Sequence, residues 1–147
     1  MKILILGSEG FIGGHSVNYF HSKGNEIHGV DFFEKSNHGI IYHQYQQEDQ
    51  GCAAVFKKNE FDFCINAAGN GNVNFSVTQP EKDFVANTLF TFQILESLRL
   101  YAPHCKYLHI SSAAVYGNPE VLPINETSSI QPVSPYGWHK FMSEQIC

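Results

Sequence analysis

The chain opens on an apolar run, Ile3-Leu4-Ile5-Leu6, that passes without a break into Gly7-Ser8-Glu9-Gly10-Phe11-Ile12-Gly13. A short apolar run bounded by glycine reads as a buried strand, here Lys2–Leu6, and the amphipathic segment behind it as a helix from about Gly10 to Ser22. Gly7 suits the tight turn leaving the strand, Gly10 lets the backbone approach a pyrophosphate, and Gly13 lets the helix pack close to the sheet. The helix amino terminus then offers free N–H groups and a positive dipole end to phosphate oxygens. A strand–turn–helix unit of this kind, repeated along a chain, is the signature of βαβ units and a parallel sheet.

The remaining sequence continues the alternation. Lys23-Gly24-Asn25 stops the first helix, and Glu26–Val30 reads as a second strand ending at Asp31. A short third strand is expected over Ile40–Tyr45, a small helix around Cys52–Lys58, and a fourth strand over Phe61–Asn66, closed by Ala67-Ala68-Gly69. After a polar loop, Pro80 suits the first turn of a long helix towards Tyr101, which Pro103 ends. Lys106–Ser111 reads as the fifth strand, followed by a proline-bearing loop and a final helix beginning near Tyr136. The order predicts an α/β fold: an open, doubly wound parallel sheet with ligands at the carboxyl ends of its strands.

Length and composition narrow the function. The chain has 147 residues, which fits one domain over 1–147 and no second. It ends at Cys147, a few residues into its last helix, where a terminal helix buries little; a domain truncated at its carboxyl end is the expectation. The nine Lys and Arg do not cluster and the net charge is −5, which argues against a nucleic-acid partner. No stretch approaches the ~20 apolar residues that span a bilayer, and the opening run breaks at Gly7 with no cleavage pattern behind it, so a cytoplasmic protein is expected. Cys52, Cys64, Cys105 and Cys147 form no Cys-x-x-Cys pair and are expected as free thiols. The eight histidines show no ligand spacing, so no metal site is expected.

Asp31 gives the glycine turn a second meaning. A carboxylate at the end of the second strand accepts hydrogen bonds from the adenine ribose hydroxyls of a dinucleotide and repels a 2′-phosphate. Phe32 and Phe33 follow it, with no Arg nearby to receive that phosphate. Strand, turn, helix and Asp31 together predict an NAD-binding Rossmann domain, with NAD favoured over NADP.

A chemical constellation lies in the last third. Tyr136-Gly137-Trp138-His139-Lys140 sets Tyr and Lys four apart, on one face of a helix. A phenol is a poor base at neutral pH until a nearby ammonium stabilises its phenolate. Ser112, at the end of the fifth strand, suits a hydroxyl that bonds a substrate oxygen while the proton moves. Strand-end turn residues are the plain alternative for Ser111-Ser112; beside the glycine turn, Asp31, Tyr136 and Lys140, the catalytic reading is preferred.

With these residues the sequence resembles the extended short-chain dehydrogenase/reductase family, in its NAD-dependent epimerase/dehydratase branch. The matching stretches are Gly7–Gly13, Asp31, Asn66-Ala67-Ala68-Gly69, Asn87, Ile110–Gly117 and Ser134-Pro135-Tyr136-Gly137-x-x-Lys140, in the family's order. The resemblance implies NAD contacts from Gly7, Glu9, Gly10, Phe11, Ile12, Gly13, Asp31, Ala67, Ala68, Gly69, Asn87, Ser111, Tyr136 and Lys140. It also implies a catalytic triad of Ser112, Tyr136 and Lys140.

The implied reaction is transient oxidation of a hydroxyl on a nucleotide-linked sugar, a UDP-sugar being favoured, with Tyr136 as base and a 4-epimerase outcome. Ala113 and Ala114 stand where the family's 4,6-dehydratases carry acidic residues, which disfavours dehydration. Keto-sugar reduction by the same site, or a non-catalytic NAD-binding fragment, are the alternatives. The stretch Gln44-Tyr45-Gln46-Gln47-Glu48-Asp49 lacks the family's adenine-recognising Asp motif, Asn70-Gly71-Asn72 lacks a Lys common in 4-epimerases, and Phe90 replaces an expected small residue. The resemblance further implies a carboxyl-terminal substrate domain beyond this chain, little turnover and weak NAD binding by these 147 residues alone, and a homodimer at full length. Phe84, Phe90, Phe92, Ile94 and Leu98 are candidates for its face or for the core.

Overall fold

The computed structural model describes residues 1–46 and 48–147; of the Gln44–Asp49 stretch, Gln47 lies outside the described residues. In chain order the elements are β1 (Lys2–Leu6), α1 (Phe11–Ser22), β2 (Glu26–Asp31), β3 (Ile41–Gln44), α2 (Ala53–Lys58), β4 (Phe63–Asn66), α3 (Val73–Thr78), α4 (Pro80–Phe84), α5 (Phe90–Tyr101), β5 (Lys106–His109) and α6 (Pro135–Ile146). A π-helical turn, Val85–Leu89, joins α4 to α5, and short 3-10 turns cover Gln50–Cys52 and Ala113–Tyr116. The chain forms two compact units, one of Met1–Ala68 with Phe90–Ile110, the other of Gly69–Leu89 with Ser111–Cys147.

The first unit holds all five strands, parallel, in the order β3-β2-β1-β4-β5. This is the Rossmann arrangement read from the sequence. The strand order reverses between β1 and β4, which is where open α/β sheets bind ligands. Successive side chains of β1 face opposite ways, so one apolar run builds two cores. Leu4 and Leu6 pack with Val30, Cys64, Ile94 and Leu98 on one face; Ile3 and Ile5 pack with Val17, Ile27 and Ile65 on the other. Cys52 and Cys64 are buried thiols within the first of these.

Three expectations are corrected. The fourth strand begins at Phe63, because Phe61 turns into the core against Phe56 before the ladder starts. The fifth ends at His109: Ile110 N–H still donates to Asn66 O at 3.1 Å, and the chain then leaves the sheet. The long helix from Pro80 to Tyr101 is interrupted, because Asn87 Nδ2 donates to the Asp83 carbonyl (3.1 Å) in the position a helical N–H normally fills. A side chain inserted into the ladder widens the turn.

That interruption, with helical periodicity, splits the candidate aromatic face. Ile94 and Leu98 are core and Phe90 packs beside them, in edge contact with Tyr45. Phe92, off the 90/94/98 row, is 56% exposed. Phe84 is exposed in the second unit.

The second unit is built from α3, α4, the π turn, the Ala113–Tyr116 turn and α6, with α6 packed against each of the others. Helix α3 lies within what the sequence presents as a polar loop; Asn72 caps it by accepting from Phe75 N–H at 3.0 Å. Ser134 caps α6, accepting from Gly137 N–H at 3.1 Å, and Pro135 occupies its first turn, so the helix starts one residue before Tyr136.

Candidate active site

In the first unit the glycine turn, the tip of β2 and the exit of β4 converge. Gly7 takes a left-handed conformation (φ +77°), and its N–H donates to Val30 O at 2.9 Å. Helix α1 approaches the turn closely at Gly13. It starts from Gly10 with no side-chain cap, leaving its first-turn amides for an external acceptor. Phe11 and Ile12 have exposed side chains. Ala67 and Ala68 follow β4, and Ala68 lies against Gly7.

Asp31 is tied to the turn: Oδ2 accepts from Glu9 N–H (2.9 Å) and Oδ1 from Phe32 N–H (2.8 Å). A carboxylate retains further lone pairs after these bonds. Glu9 faces away from that exchange. Its side chain is only 3% exposed. It accepts from Ser36 Oγ (2.7 Å), Asn37 N–H (3.2 Å) and Asn37 Nδ2 (3.0 Å). Burial alone would raise its carboxyl; the bonds from Ser36 and Asn37 and the nearby His38 hold it below its usual value. Glu9 thus binds the loop between β2 and β3 with its side chain, while its amide serves Asp31.

The second unit holds Ser112, Tyr136 and Lys140 together with Asn87, Ser111 and the exposed Gly69. Ser112 caps the Ala113–Tyr116 turn, its Oγ accepting from Ala114 N–H at 3.2 Å. Helix α6 packs on that turn, where Gly137 faces the Ala114 carbonyl. Tyr136 is half-buried in the first turn of α6 and Lys140 one turn on, buried at 4% exposure. Burial pushes the Lys140 ammonium below its ordinary value, against the opposing pull of Glu144, Cys147 and Asp83.

Asn87 Nδ2 also donates to Asn70 O (3.2 Å), so this amide ties the π turn to the Gly69–Asn72 stretch. The Ser111 hydroxyl donates to the Glu144 carboxylate on α6. Three residues that sequence reasoning passed over sit here. Asp83 is fully buried and meets His139 Nδ1 at 2.6 Å. Glu144 engages Ser111 and faces Lys140. In the sequence Asp83 is only an acidic residue in a first helical turn, and His139 an unremarked filler inside the Tyr–Lys motif.

Known proteins resemble this chain along nearly its whole length. Residues 3–147 match the NAD dependent epimerase/dehydratase family. The chain is 31% identical over 151 residues to the UDP-glucose 4-epimerase of Halalkalibacterium halodurans, covering 99% of this chain and 45% of that protein. It is 36% identical over 155 residues to the UDP-glucose 4-epimerase of Streptococcus mutans, covering 99% and 46%.

Among solved structures, the UDP-Glc/GlcNAc 4-epimerase of Campylobacter jejuni superposes with a TM-score of 0.87 at 31% identity, over 99% of this chain and 47% of that one. The UDP-glucose 4-epimerase of Bifidobacterium longum, solved with NAD+ and UDP, gives 0.87 at 29%, over 99% and 48%. The chain therefore spans a little under half the length of these relatives. Together with the parallel sheet and its glycine turn, the match over residues 3–147 shows that the chain belongs to the NAD dependent epimerase/dehydratase family.

Proposed function

We propose that this protein, at its full encoded length, is an NAD-dependent 4-epimerase of UDP-sugars, with Ser112, Tyr136 and Lys140 as catalytic residues. The observation that carries the reading is the buried Lys140 one helical turn from Tyr136, on a helix packed against the turn that Ser112 caps. The first unit suits the ADP part of NAD: uncapped first-turn amides of α1 (Phe11, Ile12, Gly13) for the pyrophosphate and Asp31 for the adenine ribose. Gly7, Glu9, Gly10, Ala67 and Ala68 shape that part; Gly69, Asn87, Ser111, Tyr136 and Lys140 are assigned to the nicotinamide end.

Bound NAD supplies a reversible hydride acceptor. The protein's residues handle the proton. Lys140 stabilises the Tyr136 phenolate, which takes the proton of the sugar C4 hydroxyl as that carbon becomes a ketone. Ser112 donates its hydroxyl to the same oxygen and steadies the charge developing there. Tyr136 then returns the proton to that oxygen, which restores the hydroxyl. Ala113 and Ala114 have no group able to move a second proton, which disfavours loss of water and leaves epimerisation, the reading preferred, or keto-sugar reduction.

The test is interconversion of UDP-glucose and UDP-galactose by the full-length protein with NAD, followed by chromatography of the nucleotide sugars. The Tyr136→Phe variant is expected to lose about 10²–10⁴-fold in turnover with its melting temperature unchanged. Full activity in Tyr136→Phe, or no interconversion of any UDP-hexose by the wild type, defeats the reading.

A further inference from the structure

Asp83 is fully buried. Its Oδ2 meets Nδ1 of His139 at 2.6 Å, and its Oδ1 has no hydrogen-bond partner among the described residues. A carboxylate removed from water is costly unless bonds and charges compensate, and one bond leaves most of its acceptor capacity unused. An incompletely satisfied buried carboxylate calls for an account of what its charge acts on.

His139 is pinned to receive it. Its carbonyl accepts from Thr88 Oγ1 (2.9 Å) and Ser143 Oγ (2.8 Å), and its ring meets Phe84 edge-on at 5.5 Å. The next residue on α6 is Lys140, the other buried ionisable group of this unit. Around Lys140 the ionisable groups are Glu144 on its own helix, the Cys147 thiol just past the end of that helix and Asp83 on α4. Helix α3 and the π turn carry no ionisable side chain, the Ala113–Tyr116 turn carries only Tyr116, and the remaining ionisable groups of α4, Glu81 and Lys82, are exposed.

We propose that Asp83, held in place by His139, is a positioning residue for Lys140, supplying from α4 the negative charge against which the buried ammonium is set. Its consequence for catalysis rests on the role proposed above for Tyr136 and Lys140; its geometry does not. Asp83 works through Lys140 and touches no substrate. Removing its charge makes the ammonium easier to deprotonate, and with it the phenolate loses its support at lower pH.

The test is a pH titration of the Lys140 side chain by ¹³Cε NMR in the full-length protein, the resonance assigned by its loss in Lys140→Arg. In Asp83→Asn the Lys140 midpoint is expected to move to lower pH. In His139→Gln, where the carboxylate keeps its charge and an amide replaces the ring as donor, the midpoint is expected not to fall. An unchanged midpoint in folded Asp83→Asn, or an equal fall in both variants, overturns the proposal.

Should Asp83→Asn not fold, the wild-type chain decides alone: the Lys140 resonance must carry a second inflection where the Asp83 ¹³Cγ titrates, and its absence overturns the proposal. In the full-length protein, Asp83→Asn is expected to shift the alkaline limb of the kcat–pH profile to lower pH, and an unmoved limb counts against the catalytic consequence. A Lys140 shift in Asp83→Asn alongside full turnover in Tyr136→Phe would retain the charge pair and defeat the catalytic reading instead.

Discussion

Gly13 sits so close beneath the first turn that a Cβ there would stand 1.9 Å from the carbonyl oxygen of Gly7. The obstruction is backbone, which no rotamer change can clear, so either α1 or the turn must move. Gly13→Ala is expected to lower stability by about 1–3 kcal/mol, the usual cost of overpacking, and to weaken NAD binding through displacement of the α1 amides. Urea unfolding followed by circular dichroism checks the first part. A midpoint equal to that of the wild type would mean the helix is free to recede.

Asp31 acts both as a latch and as a charge. Asp31→Asn removes the charge and keeps one acceptor oxygen, so of the two bonds from Glu9 N–H and Phe32 N–H the oxygen can keep the one that ties the turn while the other is lost. Without the charge, repulsion of a 2′-phosphate falls, and the NAD-to-NADP preference should drop about tenfold, equivalent to ~1.4 kcal/mol. Titration of the full-length variant with NADH and NADPH by fluorescence reads this. An unaltered ratio would place cofactor selection elsewhere.

The first unit also contains a histidine pair with its own pH signature. His28 Nδ1 lies 2.9 Å from His43 Nε2, and His28 Nε2 lies 3.0 Å from Glu26 Oε1. Burial pushes His28 below its ordinary value despite the bond to Glu26, and burial together with the neighbouring His28 does the same for His43. One ring nitrogen must donate and the other accept, so protonating both breaks the bond.

The folded values lie below the unfolded value of about 6.5, so the unfolded chain binds more protons as pH falls. Stability is complete above about 6.5 and is lost as pH drops through the folded values. The melting temperature is expected to fall as pH drops below about 6.5, and to fall less in His43→Gln. Equal losses in the two proteins would assign the acid sensitivity to other groups.

Much of the architecture was legible because it depends on near neighbours. The β1–turn–α1 unit, the Asp31 strand end and the Ser134-Pro135 start of α6 are local, set by apolar runs, glycine conformations and caps within a few residues. Strand ends were less legible. Whether Phe61 joins the ladder or turns into the core depends on Phe56 and His28, its ring partners in the folded chain. The break in the long helix escaped for a similar reason: Asn87 suits a helix by propensity, and only its bonds to Asp83 O and Asn70 O make it a wedge.

By itself the sequence determined the fold class, the family, and which side chains form the Tyr–Lys face of α6, since these follow from patterns repeated along a short stretch of chain. The tertiary structure alone decided that Asp83 lies fully buried against His139 and that Ser111 meets Glu144. Those pairs are 56 and 33 residues apart. Burial, and with it the strength of a charge, belongs to the packed chain: an aspartate in a helical first turn looks the same in sequence whether water or protein surrounds it.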